Sequence, residues 1–147
     1  MRTLEELVAD DGPIGVRDAL GWVLRAGLAL WELHADGIPH GRVSPAAILV
    51  AAEDCQSEGR MVRPSELEEV TAYHSVSRAD GEGPSLHDDV WALGITLYFL
   101  LTGKLPYPKG VAAAIAAGKL RPPPPLAVHR AELDVMQPVL VRLIRID

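Results

Sequence analysis

The stretch Asp89-Val-Trp-Ala-Leu-Gly-Ile-Thr-Leu-Tyr-Phe-Leu-Leu-Thr-Gly103 decides the fold class. From Val90 to Gly103 it carries no charge, and its apolar residues fall on every face of a helix. Such a helix belongs in a protein core or a membrane, but this one is well short of the roughly 20 residues that a bilayer requires. The sequence therefore predicts a buried central helix. It should open at Asp89, whose carboxylate can accept backbone N–H bonds, and end at Gly103 as the C′ residue.

This stretch and its continuation Lys104-Leu-Pro-Tyr-Pro resemble the central F helix of the protein kinase C-terminal lobe. The family pattern there is Asp-x-Trp-x-Leu-Gly, an apolar run, and Leu-x-Gly-x-x-Pro followed by an aromatic residue. The resemblance implies a mainly α, kinase C-lobe-like domain built around this helix. It also implies that Asp89 anchors the backbone of the catalytic loop at His40 and Gly41. The neighbouring Asp88 is expected to be only solvated.

Length and composition bound the possible functions. The 147 residues predict one domain, spanning residues 1–147, able to bury a core of its own. A net charge of −6 argues against a nucleic-acid partner. Cys55 is the only cysteine, which excludes an intrachain disulfide and a cysteine-built metal site. The N-terminus lacks a signal-peptide apolar core, so we expect a cytoplasmic protein with no membrane partner.

Two helices are predicted before residue 38. Thr3 and Glu6 form a capping box that opens a helix from Leu4 to about Ala9, and Asp11-Gly12-Pro13 breaks it. A long amphipathic helix then runs from about Val16 to Ala35 and closes at Gly37. These helices resemble the D and E helices of a kinase. The apolar face predicted for the second consists of Leu20, Val23, Leu24, Gly27, Leu28 and Trp31.

The segment from Ile38 to Val50 resembles the kinase catalytic loop, whose pattern is His-Arg-Asp-Leu-Lys-Pro-x-Asn-Ile-Leu. The pattern is matched by His40, Pro45 and Ile48-Leu49. The family uses this His for packing, and we expect the same of His40.

The positions that carry chemistry in the family differ in this loop. Arg42 stands in place of the catalytic Asp, Ser44 in place of the Lys, and Ala47 in place of the metal-binding Asn. Phosphoryl transfer needs a carboxylate that accepts the substrate proton and an oxygen ligand for Mg²⁺. A guanidinium has no acceptor atom, and an alanine has no ligand atom.

A β-hairpin is predicted next to this degenerate loop, with strands at Ile48 to Ala51 and Arg60 to Arg63 and a polar loop from Glu53 to Gly59. The family then expects Asp-Phe-Gly. The best register places Ser65-Glu66-Leu67 there, within a residue or two, and no Asp-x-Gly occurs nearby. Residues 68–87 correspond to the activation segment, without the Ala-Pro-Glu that closes it in kinases.

The remaining elements follow the central helix. We predict a short helix from Val111 to Ala117, a polyproline II run over Arg121–Pro125, and a final helix from about Glu132 to Arg145. The proline run is either a connector or a docking ligand for an aromatic groove. The sequence does not say whether Asp147 is the natural end of the protein.

The sequence yields no catalytic, cofactor-binding or metal-ligating residues and no implied cofactor. The histidines show no ligand spacing, no glycine-rich phosphate loop is present, and we expect no ATP binding. The resemblance is thus to a truncated pseudokinase that consists of the C-terminal lobe alone. We expect a protein that is not an enzyme but a protein-binding scaffold or regulator in signalling.

Two alternatives remain open. The chain could be half of a split protein kinase that a separate nucleotide-binding lobe completes, or an enzyme with Glu66 or Glu68 as a substitute carboxylate. We also expect a protein partner, such as a kinase or signalling protein, or a homodimer. The surface expected to be exposed for that contact lies around the first strand pair and the final helix: Val139, Leu140, Leu143 and Ile144.

Overall fold

The computed structural model describes residues 2–50 and 59–144. Its strands are β1 (Arg2–Thr3), β2 (Ile48–Val50) and β3 (Gly59–Met61). Its α-helices are α1 (Leu4–Asp11), α2 (Val16–Ala35), α3 (Val76–Ala79), α4 (Leu86–Thr102), α5 (Val111–Ala116) and α6 (Gln137–Leu143). The prediction of a mainly α domain built around a central helix is confirmed. Cys55 and most of the predicted polar loop lie outside the described residues.

A small antiparallel sheet lies beside the loop that resembles the catalytic loop. Strand β2 pairs with β3 in the register Ile48↔Met61, which confirms the predicted hairpin. Strand β1 adds to the other edge, with Arg2 opposite Val50. Two residues are too few to show the period-2 alternation of a strand, so the sequence did not indicate β1. The sheet links the start of the chain to the loop.

Helix α4 begins earlier than predicted. Ser85 is its N-cap, and the Ser85 hydroxyl accepts a hydrogen bond of 3.0 Å from the Asp88 backbone N–H. Asp89 therefore lies in the first turn, and its predicted role as the residue that opens the helix is wrong. The C-terminal end is as predicted: Gly103 has φ +73°, and its N–H donates to the Phe99 carbonyl at 2.7 Å. Glycine adopts this left-handed conformation without steric cost.

The core surrounds α4 on nearly every side. Trp91, Ile95 and Leu97 are fully buried, as expected for a helix that is apolar all round. The two buried hydroxyls of the helix are satisfied locally, because Thr96 and Thr102 donate to the carbonyls of Ala92 and Tyr98 at 2.8 Å each. Burying these polar side chains therefore leaves no unpaired hydroxyl donor.

Helix α2 has the bounds that the sequence predicts, but it faces the core with a different side. Val23 is buried as expected, and Gly27 approaches Leu93 of α4. The buried residues of the helix are Ala19, Trp22, Val23, Ala26 and Leu30. Four of the residues assigned to the core face are exposed: Leu20, Leu24, Leu28 and Trp31. Apolar residues occur on both faces of α2, and the prediction assigned to the core the face that is mostly exposed.

The predicted final helix is divided at Pro138. A 3₁₀ segment covers Ala131–Met136, and α6 follows with Pro138 in its first turn. Proline lacks the N–H that would continue a helix through this point but is tolerated in a first turn. Val135, in the 3₁₀ segment, is 70% exposed.

The surface expected to be exposed around the hairpin and the last helix is largely covered. Ile48, Val50, Leu140 and Ile144 are all buried. The C-terminal segment packs on α4 so closely that a Cβ on Gly94 would lie 2.7 Å from Ile144 Cγ1. Only Val139 of this group is clearly exposed, so the predicted location of an apolar interface is wrong.

A residue near the C-terminal end also makes hydrogen bonds to the N-terminal part of the chain. The Arg130 guanidinium donates to the Leu101 carbonyl at 2.8 Å and to the Ile14 carbonyl at 3.4 Å. The Ile14 N–H in turn donates to the Leu100 carbonyl at 2.7 Å. The turn between α1 and α2 is thereby fixed to the C-terminal end of α4.

No helix within residues 2–50 and 59–144 has the length and apolar character needed to span a membrane.

Candidate functional site: the loop held by Asp89

The Asp89 carboxylate holds the loop that resembles the catalytic loop. Its Oδ2 accepts the His40 backbone N–H at 2.7 Å, and its Oδ1 accepts the Gly41 backbone N–H at 2.8 Å. His34 Nε2 lies 2.8 Å from the same Oδ2, so the imidazole completes the carboxylate's contacts from α2. Asp89 itself is fully buried. The anchoring role implied by the resemblance is the role that this geometry gives to Asp89.

The His40 side chain is structural. Its Nε2 lies 2.8 Å from the Val62 carbonyl, which can only accept, so this nitrogen carries the proton. Its Nδ1 accepts the Arg42 backbone N–H at 3.2 Å. Both ring nitrogens are therefore engaged in fixing the loop against the end of the hairpin. His40 is 5% exposed, which agrees with the predicted packing role.

Gly41 is needed for close approach as well as for its conformation. Its φ is +81°, and a Cβ placed there would lie 3.0 Å from the Pro84 ring. A larger residue would be strained by the backbone and would also crowd the segment before α4.

Arg42 points at backbone carbonyls. Its guanidinium donates to the Pro64 carbonyl at 3.1 Å and also to the Leu67 carbonyl. These acceptors lie in the segment that follows the hairpin, so Arg42 clamps this segment over the loop. An arginine used this way is a positioning group. It cannot accept a proton from a substrate hydroxyl.

The residues at the family's metal positions do not fit Mg²⁺. Ala47 is buried and offers no oxygen, while Ser65 and Glu66 lie exposed in a 3₁₀ turn (Pro64–Glu66) after the hairpin. Among residues 2–50 and 59–144, no group of three or more histidine, cysteine, aspartate or glutamate side chains could hold a metal ion.

The cleft above the loop is too small for a ligand. It has about 10 Å³ of water-accessible space, and its lining includes Arg42, Ser44 and Glu68. That is room for about one water molecule, whereas sites for small ligands are typically several hundred Å³. Glu68 borders this cleft and Glu66 does not, so of the two alternative substitute carboxylates only Glu68 lies beside it.

A second anchor, missed in the sequence, lies beside the first. Asp88 is 2% exposed, so the expectation that it is only solvated is wrong. Its carboxylate accepts the Ser75 backbone N–H at 2.9 Å and pairs with Arg78 at 2.8 Å. Arg78 also donates to the Gly41 carbonyl and to Glu69.

Asp88 and Arg78 thus connect the segment before α4 to the loop that Asp89 holds. The signal available in the sequence was that two adjacent aspartates open an apolar helix. Both carboxylates on such a helix need partners, because an unpaired buried charge is costly.

The proline run is tethered to the body of the lobe. The Tyr98 hydroxyl lies 3.3 Å from the Pro124 carbonyl, and the Tyr107 hydroxyl donates to the Arg121 carbonyl. Burial, and secondarily Tyr98, raises the pKa of Tyr107 to about 12, which keeps its hydroxyl protonated as a donor. With these contacts the run is fixed to the lobe and forms one wall of a groove whose other lining includes Lys109 and Lys119.

Comparison with known proteins identifies relatives among the serine/threonine kinases. The chain is 33% identical to the serine/threonine-protein kinase PknB of Mycolicibacterium smegmatis, over 91% of this chain and 24% of that protein. It is 31% identical to PknB of Mycobacterium leprae, over 86% of this chain and 23% of that protein. A probable serine/threonine-protein kinase of Clostridium acetobutylicum is 25% identical over 78% of this chain. No protein-family model matches the chain.

A helical lobe whose central helix anchors a kinase-type loop defines the class of the protein. Together with these relatives, it shows that the chain resembles the protein kinase-like family. The chain spans about a quarter of the length of the curated relatives it matches.

One expectation from the sequence is corrected by these relatives. The chain was expected not to be an enzyme, whereas the proteins it resembles are named serine/threonine-protein kinases, which point to an enzyme. The expectation depended on a few loop positions, while the similarity extends over most of the chain. Positions 42 and 47 support a narrower conclusion. The Arg42 side chain cannot accept a proton, and the Ala47 side chain cannot bind a metal.

Proposed function

We propose that this chain is the C-terminal lobe of a serine/threonine-protein kinase-like unit, completed by a nucleotide-binding lobe that lies outside the 147 residues. The observation that carries the proposal is the intact anchoring of the loop by Asp89, through His40 and Gly41. Such a loop framework is built to face another lobe. The kinase relatives support the same assignment.

In this proposal the lobe positions and binds. The loop and the segment before α4 are fixed by three charged side chains, Asp89, Asp88 and Arg78. Burying these charges costs free energy, and a loop that only connects two elements would not require it. Nucleotide binding belongs to the completed unit, and we expect none in the isolated chain.

A second candidate is favoured by Arg42. Arg42 occupies the position where the family has its catalytic base. Its hydrogen bonds to the Pro64 and Leu67 carbonyls give this position a structural role. A unit of this kind would use the lobe as a protein-binding scaffold or regulator within a signalling pathway.

Reconstitution separates the two candidates. The purified chain is mixed with the nucleotide-binding lobe of Mycolicibacterium smegmatis PknB, and complex formation is measured by analytical ultracentrifugation. An unrelated nucleotide-binding domain serves as the control. A specific complex that transfers phosphate from ATP to a serine peptide supports the kinase unit, and a specific complex without transfer supports the scaffold. Absence of any specific complex would overturn the kinase unit.

A further inference from the structure

Four large apolar side chains are exposed along one face of α2. Leu20, Leu24 and Leu28 are 41%, 62% and 54% exposed, and Trp31 is 70% exposed. Their spacing of four, four and three residues places them on one face of the helix. We call these four residues the α2 stripe. The stripe lies opposite the buried face of α2, so packing within the lobe does not use it.

The stripe is large enough to need an explanation. Isolated exposed leucines are ordinary, but four adjacent large side chains leave several hundred Å² of contiguous apolar surface, which usually marks an interface. At about 1.5 Å per residue the stripe is roughly 16 Å long. Ile38, 51% exposed just after the helix, adds to its C-terminal end.

The charges at the two ends of the stripe are opposite. Exposed Arg17 lies at the N-terminal end on the same face, and exposed Glu32 and Asp36 lie at the C-terminal end. Among the side-chain hydrogen bonds and ion pairs of residues 2–50 and 59–144, none involves these three side chains. The surface is therefore polarised along its length, positive at one end and negative at the other.

We propose that the α2 stripe is the interface of a homodimer in which two copies of α2 pack antiparallel about a two-fold axis. With the axis midway between Leu24 and Leu28, Trp31 of one copy covers Leu20 of the other. Gly21 beside Leu20 leaves room for the indole ring. The same pairing places Arg17 of each copy beside Glu32 and Asp36 of its partner. A two-fold interface must be self-complementary, and this one is so in both shape and charge.

The charge argument selects a second copy over an arbitrary partner. The chain carries a net charge of −6, so two copies repel each other unless opposite charges meet at the contact. The antiparallel arrangement makes that contact twice, whereas a parallel arrangement would bring Arg17 against Arg17. Specific interfaces bury about 800 Å² per partner. The stripe and Ile38 supply the apolar centre of such an area, and the charged ends supply its rim.

The experiment is analytical ultracentrifugation of the chain across the micromolar range, with tryptophan fluorescence in parallel. Trp22 and Trp91 are fully buried, so a dilution-dependent change in iodide quenching reports on Trp31. We expect a dimer, and we expect Leu24→Glu to be monomeric but folded, with an unchanged circular dichroism spectrum, because the side chain is exposed in the monomer. The matched control is Val128→Glu, a 70% exposed apolar position outside the stripe, which should remain dimeric.

Charge reversal tests the antiparallel register. Arg17→Glu and Glu32→Arg should each raise the dimer dissociation constant about tenfold, since each converts two symmetry-related attractions into repulsions. The double variant R17E/E32R should restore the affinity. A monomer with quenchable Trp31, or a dimer that Leu24→Glu leaves intact, would overturn the proposal. A double variant no tighter than the single ones would overturn the antiparallel register.

Discussion

Asp89 and Gly41 are 48 residues apart in the sequence and are joined by a 2.8 Å hydrogen bond from the glycine N–H to the carboxylate. The bond is buried, and Asp89 makes a second one of the same kind to His40. One side chain on the central helix thereby determines where the loop lies. Several positions in this loop differ from the kinase pattern, whereas Asp89, which holds the loop in place, matches it.

Asp89→Ala should lower the free energy of unfolding by about 3 kcal/mol. The change leaves two buried backbone donors without an acceptor, and each such loss costs about 1–3 kcal/mol. Urea denaturation followed by circular dichroism measures the effect. Asp134→Asn, at an exposed aspartate, is the control and should change stability by less than about 0.5 kcal/mol. Equal stability of Asp89→Ala and the original chain would contradict the anchoring role.

Gly94→Ala should destabilise the lobe by about 1–3 kcal/mol, the usual range for overpacking a core. The added Cβ would meet Ile144 Cγ1 at 2.7 Å and Leu143 Cβ at 2.8 Å. Gly27→Ala is the matched control, because its Cβ would find ordinary contact with Leu93 at 3.7 Å. The control should gain about 0.5–1 kcal/mol from helix propensity. Thermal denaturation of both variants should show shifts of opposite sign.

Arg42→Met should release the segment after the hairpin. The substitution removes the donors that hold the Pro64 and Leu67 carbonyls while keeping a long apolar stem. Hydrogen–deuterium exchange should become faster for residues 64–70 and stay unchanged in α4. Arg63→Met, at an exposed neighbouring arginine, is the control. If exchange in this segment is unaffected, Arg42 is not the clamp.

The stability of the lobe should depend on His74 as the pH falls below 6.5. Burial, followed by the charge of Arg78, lowers the pKa of His74 below its ordinary value of 6.5. The unfolded chain then binds the proton more readily than the folded one, so the contribution of His74 is complete above pH 6.5 and is lost as the pH falls. His74→Gln should flatten this part of the stability profile. Urea midpoints across the pH range measure it, and identical profiles would contradict the prediction.

The isolated chain should not bind ATP with Mg²⁺. The cleft above the loop has room for about one water molecule, and Ala47 provides no metal ligand. Isothermal titration calorimetry checks this, with the Mycolicibacterium smegmatis relative as the positive control. Saturable, Mg²⁺-dependent binding by the chain alone would show that it forms a nucleotide site without a second lobe.

The central helix, its αL glycine and the hairpin could be predicted because their signals are local. An uncharged run from Val90 to Gly103 can only be buried, and a glycine after such a run is the common way to end a helix. The capping box at Thr3 is local in the same sense, and the structure contains both of its hydrogen bonds.

The rest depended on contacts that the sequence does not encode locally. Apolar residues occur on both sides of α2, so periodicity could not say which side meets α4. The burial of Asp88 depends on Arg78, which comes from a different element. The division of the last helix does have a local signal in the sequence, which is Pro138. The apolar spacing of the residues on either side instead suggested one continuous helix.

The packing of Leu143 and Ile144 against Gly94 has a consequence for biosynthesis. Until these residues leave the ribosome, the emerging chain exposes one side of its most apolar helix. Contacts that join distant parts of a chain form late and leave apolar surface open in the meantime. We therefore expect translation pauses or truncations before residue 143 to yield chains that engage chaperones, and release of the complete lobe to coincide with the arrival of its last helix.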